Sequence, residues 1–333
     1  MQSPITIVIP VYNRAHVIGR TLRSIDAQTQ PPAHVILVDN NSSDSSMSVI
    51  SDWAKGKDHV SILSEPARGA CAARNRGLRE VRTEWTMFFD SDDVMHPSHV
   101  RDFTHAISVH PTADVIGRDI LYSTIEGKVR RLYFRTGRDA MFHHLFRGCL
   151  STQRYVARTS LFREVGGWDE TLPGWNDFEL GVRILIHAPK AVKLGGAPTV
   201  TTYQQSESIT GLNFSSHPRR WEDSLLAIRR DFESMPDSDS RRHRYIDWLD
   251  ARAMILAAHY ENEARAYMSS SDTTNQPSPQ PANLSDYRKA HSLAVSLYND
   301  IISHTRHPRR QRLIYLHNLH FRRLTWLLAK TTL

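Results

Sequence analysis

The sequence predicts an α/β fold: a mostly parallel sheet with covering helices, followed by an all-helical C-terminal extension. Three observations carry this. Four apolar runs, residues 5–9, 34–38, 60–63 and 85–89, begin at a spacing of roughly 25–30 residues, the length of a βαβ unit. The first is apolar almost throughout, as in strands buried on both faces. From about His217 onward the pattern is helical alone.

Taken in order, residues 5–9 make the first strand, which Pro10-Val11-Tyr12-Asn13-Arg14 breaks. Ile18, Leu22 and Ile25 then recur at helical spacing. The second strand ends at Asp39, and Asn40-Asn41-Ser42-Ser43-Asp44 is a turn rich in capping residues. A third strand at 60–63 precedes an Ala-rich helix over 69–80. The fourth, residues 85–89, runs straight into Asp90-Ser91-Asp92-Asp93. Beyond it, residues 120–124 and 129–134 flank Glu126-Gly127 as a hairpin. A helix near 140–146 follows, then one over 176–187. Asn176 and Glu179 fit a capping box there, and Phe178, Val182, Leu185 and Ile186 form one apolar face. Strands near Val192 and Val200 close this part. The extension reads as helices over 221–232, 241–267, 284–304 and 308–330, with a mobile Pro-rich linker at about 269–283.

Composition is that of a globular protein, 40% apolar and 23% charged over 333 residues. Two cysteines, Cys71 and Cys149, make no disulfide framework and favour a reducing compartment. The chain enters a strand almost at once, which predicts no signal peptide, and no apolar run is long enough to span a bilayer. The net charge of +7 lies entirely beyond residue 300, where seven Arg and Lys meet no acid.

Three carboxylates within four positions repel one another unless a cation or strong donor sits among them. At the carboxyl end of a parallel strand they lie where α/β sheets bind ligands. A hard divalent ion, Mn2+ or Mg2+, held by one or two carboxylates and a ligand's phosphate oxygens, fits that place.

Several motifs occur in a fixed order: Ile7-Val8-Ile9-Pro10-Val11-Tyr12-Asn13-Arg14, Val38-Asp39, Ala73-Arg74-Asn75-Arg76-Gly77-Leu78 and Asp90-Ser91-Asp92-Asp93. Gly166-Gly167-Trp168-Asp169-Glu170 and Asn176-Asp177-Phe178-Glu179 extend the series. Together they resemble the family-2 inverting glycosyltransferases over about the first 215 residues. The resemblance implies a GT-A-type, Rossmann-like sheet that binds a nucleotide-sugar, with uridine favoured by family habit. On that reading residues 1–105 bind the nucleotide-sugar, 106–215 form the acceptor and catalytic part, and 216–333 are the helical extension.

Tyr12 would pack on the base, and Asp39 would hold the base or ribose. Pro10, Arg14 and Ser91 would line the same pocket. Arg74 would face the diphosphate, Asp90 the ribose or metal, and Asp92 would be the firmest metal ligand. The first turn of the helix at 176 favours an ionised carboxylate, and the resemblance makes Asp177 the general base. Trp175 and Asn176 flank it as acceptor or sugar contacts, while Trp168 fits a core position as well as a sugar platform.

Two departures stand out. The family carries Glu-Asp where this chain has Asn176-Asp177, and a later family His is replaced within Tyr203-Gln204-Gln205-Ser206, so no third metal ligand is assigned. The histidines show no zinc spacing. The implied activity is metal-dependent transfer of a sugar to a hydroxyl of a glycan or lipid-linked acceptor, for polysaccharide biosynthesis. The alternative is a non-catalytic glycosyltransferase-like scaffold subunit. A nucleotidyltransferase or dinucleotide dehydrogenase needs a Gly-rich loop after the first strand, which is absent. The reading places the protein in the cytoplasm, with no nucleic acid partner. Its basic C-terminal helices would contact the inner membrane face or a second copy.

Overall fold

A computed structural model describes residues 2–204, 213–269 and 281–320. The chain divides into two compact units, residues 1–208 and 209–333.

In the first unit a seven-stranded sheet forms from β1 (Ile5–Val11), β2 (His34–Asp39), β3 (Val60–Ser64), β4 (Trp85–Phe88), β6 (Val115–Gly117), β9 (Tyr155–Arg158) and β10 (Ala191–Lys193). Its order is β10-β6-β9-β4-β1-β2-β3, and β9 alone runs antiparallel to its neighbours. A second sheet has the order β5-β11-β7-β8, from β5 (Val94–Met95), β7 (Ile120–Ser123), β8 (Val129–Leu132) and β11 (Val200–Tyr203). The expected hairpin is β7 and β8, paired from Ile120↔Leu132 to Ser123↔Val129.

Alternation along β1 builds a core on each face of the main sheet. Ile5, Ile7 and Ile9 join Leu22, Ile25 and Phe103 on one side, with helices α1 (Ile18–Asp26), α2 (Ser46–Ala54) and α4 (His99–Val109). Val8 joins Phe88, Leu78 and Phe162 on the other, with α3 (Ala70–Glu80), α6 (Thr159–Glu164) and α7 (Asn176–Ile186). The remaining helix of the unit is α5 (Ala140–Arg147).

Four expectations need correction. Strand β1 runs on through Pro10 to Val11 instead of ending at Ile9. Pairing with β4 stops at Val8↔Phe88, so the missing Pro10 N–H costs no ladder bond on that side. Helix α2 was invisible because only Ser46 and Ile50 are buried in it, too few to mark an apolar face. Asn176 is not the N-cap of α7: Trp175 holds that position in a left-handed conformation (φ 43°), and Glu179 pairs with Arg183 instead of reaching back to a cap. Both ends of the range expected for the linker are helical, since α9 (Arg242–Ser269) includes Ser269 and α10 (Pro281–His304) begins at Pro281, a residue suited to a first helical turn. Residues 270–280 lie outside the described set.

The second unit is helical: α8 (Arg219–Ser234), α9, α10 and α11 (Pro308–His320), with α9 packed against the other three. Trp221, Phe232, Met254 and Tyr260 fill its interior. On α11 Ile314 is buried while Leu313 and Leu316 are exposed. The expected continuation of that helix, with Leu324 and Leu327, lies outside the described residues. Among the described residues no helix is long and apolar enough to cross a membrane.

Candidate active site

The carboxyl ends of β1, β2 and β4 meet, and each delivers residues singled out in the sequence. After β1, Tyr12 is 51% exposed and Asn13 takes a left-handed conformation (φ 50°). That loop is braced by the one after β2: Asn13 N–H donates to Ser42 Oγ at 3.1 Å, Arg14 N–H to Ser46 Oγ at 2.7 Å, and Ala15 N–H to Asp44 at 3.0 Å. Asp39 ends β2 in a buried position; its Oδ2 accepts from Ser42 N–H at 3.3 Å, and its Oδ1 has no partner among the described residues.

The acidic turn after β4 is held from two sides. Thr21 Oγ donates to the carbonyls of Ser91 and Asp93, and Arg20 donates to the carbonyl of Asp92. From the other side, Gln153 gives its amide to both Asp90 Oδ2 and Asp93 Oδ2, and Tyr203 N–H donates to Asp93 Oδ1 at 3.0 Å. Burial, then the Asp90 charge, raises the Asp92 carboxyl above its usual range, against the pull of Arg14 and Arg20. Asp93 is raised further, by burial and by both neighbouring carboxylates.

Arg74 lies on α3, almost fully buried. It donates to Asp90 Oδ1 at 2.7 Å and lies 4.4 Å over the Trp168 ring, while its Nε and Nη1 have no partner among the described residues. Trp168 is therefore a core residue, edge-on to Phe88 at 5.1 Å. Asn75 binds the Trp168 backbone, and Arg183 bridges Glu179 to the carbonyls of Val165 and Gly167. These bonds bring the Arg-Asn-Arg-Gly, Gly-Gly-Trp and Asn-Asp-Phe-Glu stretches together.

Asp177, in the first turn of α7, lies within electrostatic range of Arg74 and Asp90. Burial raises its carboxyl, with Arg74 and Arg154 pulling down and Asp90 pushing up. Trp175 packs against Phe178 at 5.4 Å. Sequence reasoning missed Gln153 and Arg154, which sit in one 3-10 turn before a four-residue strand, with no pattern to flag them.

The donor set fits a hard divalent cation bound together with a diphosphate. Asp92 and Asp90 would supply carboxylate oxygens now under mutual repulsion, and Arg74 would supply buried N–H groups that have no partner among the described residues. Among the described residues no three His, Cys, Asp or Glu side chains converge as a metal cage, and Gln205 and Ser206, which stand in place of the family His, lie outside that set.

A mostly parallel sheet with an acidic turn at its strand ends defines an α/β class that binds ligands at that edge. Residues 6–164 match the family model Glycosyl transferase family 2, and over this part the chain is similar to that family. An uncharacterized glycosyltransferase of Rickettsia typhi is 24% identical over 197 residues, covering 54% of this chain and 58% of that protein. The succinoglycan biosynthesis protein ExoW of Rhizobium meliloti is 28% identical over 166 residues, 47% of this chain and 46% of its own. The chain thus spans less than two thirds of either relative. Among solved structures, S. aureus TarS 1-349 aligns over 96% of this chain and 89% of its own at a TM-score of 0.61 and 16% identity, a likeness of fold. A crystal structure of the same TarS fragment is in complex with UDP-GlcNAc. The fold is of the GT-A type.

Proposed function

We propose that the chain is a metal-dependent inverting glycosyltransferase, moving a sugar from a uridine diphosphate sugar to a hydroxyl of a glycan or lipid-linked acceptor. The observation that carries this is Asp177, a carboxylate within electrostatic reach of both Arg74 and Asp90 at the strand ends. The relatives named as glycosyltransferases support the class, and the TarS complex supports uridine diphosphate.

Tyr12, exposed at the rim, stacks on the base, and Asp39 holds the base or ribose through its unpartnered Oδ1. Pro10, Arg14 and Ser91 shape the pocket between them. Arg74 turns its free N–H groups to the diphosphate while its bond to Asp90 keeps that carboxylate in place. Asp92 and Asp90 would hold a divalent cation, Mn2+ or Mg2+, whose charge would offset that of the diphosphate leaving group. Asp177 takes the proton of the acceptor hydroxyl as its oxygen bonds the anomeric carbon and the carbon–phosphate oxygen bond breaks, its electron pair leaving with the diphosphate. Attack opposite the leaving group inverts the centre. Trp175 and Asn176 flank the acceptor.

Calorimetry and transfer assays test the two acidic roles. Asp177→Asn keeps uridine diphosphate binding and loses transfer by about 100-fold or more. Asp92→Ala weakens metal-dependent nucleotide binding. Unchanged nucleotide affinity in Asp92→Ala, or retained transfer in Asp177→Asn, overturns the assignment; loss of transfer also speaks against a scaffold role.

A further inference from the structure

His144, on α5, is fully buried, and both of its ring nitrogens are engaged. Leu150 N–H lies 3.2 Å from Nδ1; a backbone amide can only donate, so Nδ1 accepts and the neutral ring carries its proton on Nε2. Nε2–H then donates to the Phe178 carbonyl at 2.8 Å. Burial keeps the ring in this neutral form: it lowers the imidazole to about 4, the Phe178 bond opposing and Arg154 adding.

The two partners belong to two halves of the candidate site. Phe178 follows Asp177 in the first turn of α7, and its ring lies 5.2 Å from the imidazole and 5.4 Å from Trp175. Leu150 stands just before the 3-10 turn Thr152–Arg154, whose Gln153 amide holds Asp90 at 2.5 Å and Asp93 at 2.6 Å. A path of hydrogen bonds and peptide links therefore joins the acidic turn to Asp177, with the imidazole at its centre.

Helix α7 is shaped to receive that ring. A Cβ on Gly181, three residues beyond Phe178, would lie 2.3 Å from Nε2 and 3.1 Å from Leu150 Cβ. Glycine is a poor helix former, and here the missing methyl is the room that the imidazole occupies. Leucine would fill the space beneath α7 as well. What imidazole adds is a donor and an acceptor at fixed separation, aimed at two segments far apart in the chain.

We infer that His144 is a positioning residue for the proposed base: its two nitrogens tie the turn that carries Asp177 to the segment that carries Gln153, and so set Asp177 against the acidic turn. This rests on Asp177 being the base of the transfer reaction.

The test is release of uridine diphosphate from a panel of uridine diphosphate sugars, with manganese present and water serving as acceptor. His144→Asn keeps an acceptor where Nδ1 stands but cannot reach Phe178, whereas His144→Gln keeps a donor where Nε2 stands. We expect His144→Asn to lower kcat about tenfold or more with the donor KM within about twofold. His144→Gln should restore most of that loss. In the Asp177→Asn background His144→Asn should cost nothing further, since both act through one group. Unaltered kcat in His144→Asn, a loss that His144→Gln does not relieve, a parallel loss of donor affinity, or a full further loss on top of Asp177→Asn each overturns the inference and leaves a packing role. Should His144→Asn not fold, Gly181→Ala decides: it retains the histidine but sets a methyl against Nε2, and kcat must fall with KM unchanged. Retained release in Asp177→Asn alone counts instead against the base assignment, and no release by the parent counts against the transferase reading.

Discussion

Asn75 grips Trp168 by its backbone at both ends, Oδ1 accepting its N–H and Nδ2 donating to its carbonyl, each at 2.8 Å. One amide side chain on α3 thereby fixes a loop more than ninety residues away, and with it the ring that supports Arg74. Asn75→Asp keeps the acceptor but loses both N–H donors, setting a carboxylate against the Trp168 carbonyl and Glu170. We expect a loss of about 1–3 kcal/mol in urea unfolding, with weaker nucleotide binding as Arg74 loses its platform. An unchanged midpoint would remove Asn75 from this role.

Gly77, two residues further along α3, serves a different need. A Cβ there would lie 2.3 Å from Val8 Cγ1 and 3.3 Å from Val38 Cγ2, so α3 approaches the sheet as closely as it does only because the position is glycine. Gly77→Ala gains helix propensity but overpacks β1, and we expect a net cost of about 1–3 kcal/mol. Thermal unfolding reads it; a stabilised Gly77→Ala would mean that the sheet gives way easily.

These two residues show what was legible in the sequence and what was not. The four leading strands were readable because each is apolar and long enough to declare itself, and Asp39 and Asp90 follow directly from where those strands stop. The β7–β8 hairpin was readable from its Glu-Gly turn. Strands β5, β6 and β9 were not, since two to four residues carry no periodicity. The Trp175 cap escaped because a left-handed tryptophan is a tertiary outcome, and Glu179 satisfies its partner through Arg183 four residues on. Gln153 escaped for a similar reason. Its role is set by two carboxylates sixty residues earlier in the chain, a pairing that only the fold creates.

That pairing gives a third prediction. Gln153 is the amide that lets Asp90 and Asp93 lie close together. Gln153→Glu replaces its donor with a further carboxylate among buried acids, whose folded-state pKa must then rise above its unfolded value. Such a group destabilises when ionised, so the deficit against the parent is largest at high pH and shrinks as pH falls. Denaturant midpoints at pH 5 and pH 8, without added metal, measure this. A deficit independent of pH would mean that packing, and not charge, is what Gln153 supplies.

Asp177 brings pH into the proposed reaction itself. Burial is the leading cause that raises its carboxyl, and Asp90 adds to it, while Arg74 and Arg154 oppose. A base must be ionised, so the acid limb of kcat/KM falls at a pH above the ordinary aspartate range. The same shift has a thermodynamic side. A carboxyl whose folded pKa is raised contributes stability that is full below its unfolded pKa and is lost as pH rises through the folded value. Asp177→Asn abolishes that loss, so the variant should unfold at a higher temperature than the parent at pH 8, with the advantage fading toward pH 4. Function and stability then pull in opposite directions at one residue, as expected where a charge is held for chemistry and not for packing. An acid limb at or below pH 4, or a variant less stable than the parent at pH 8, would show that the charge on Asp177 is satisfied by Arg74 and Arg154 and leaves it no strain to spend on a proton.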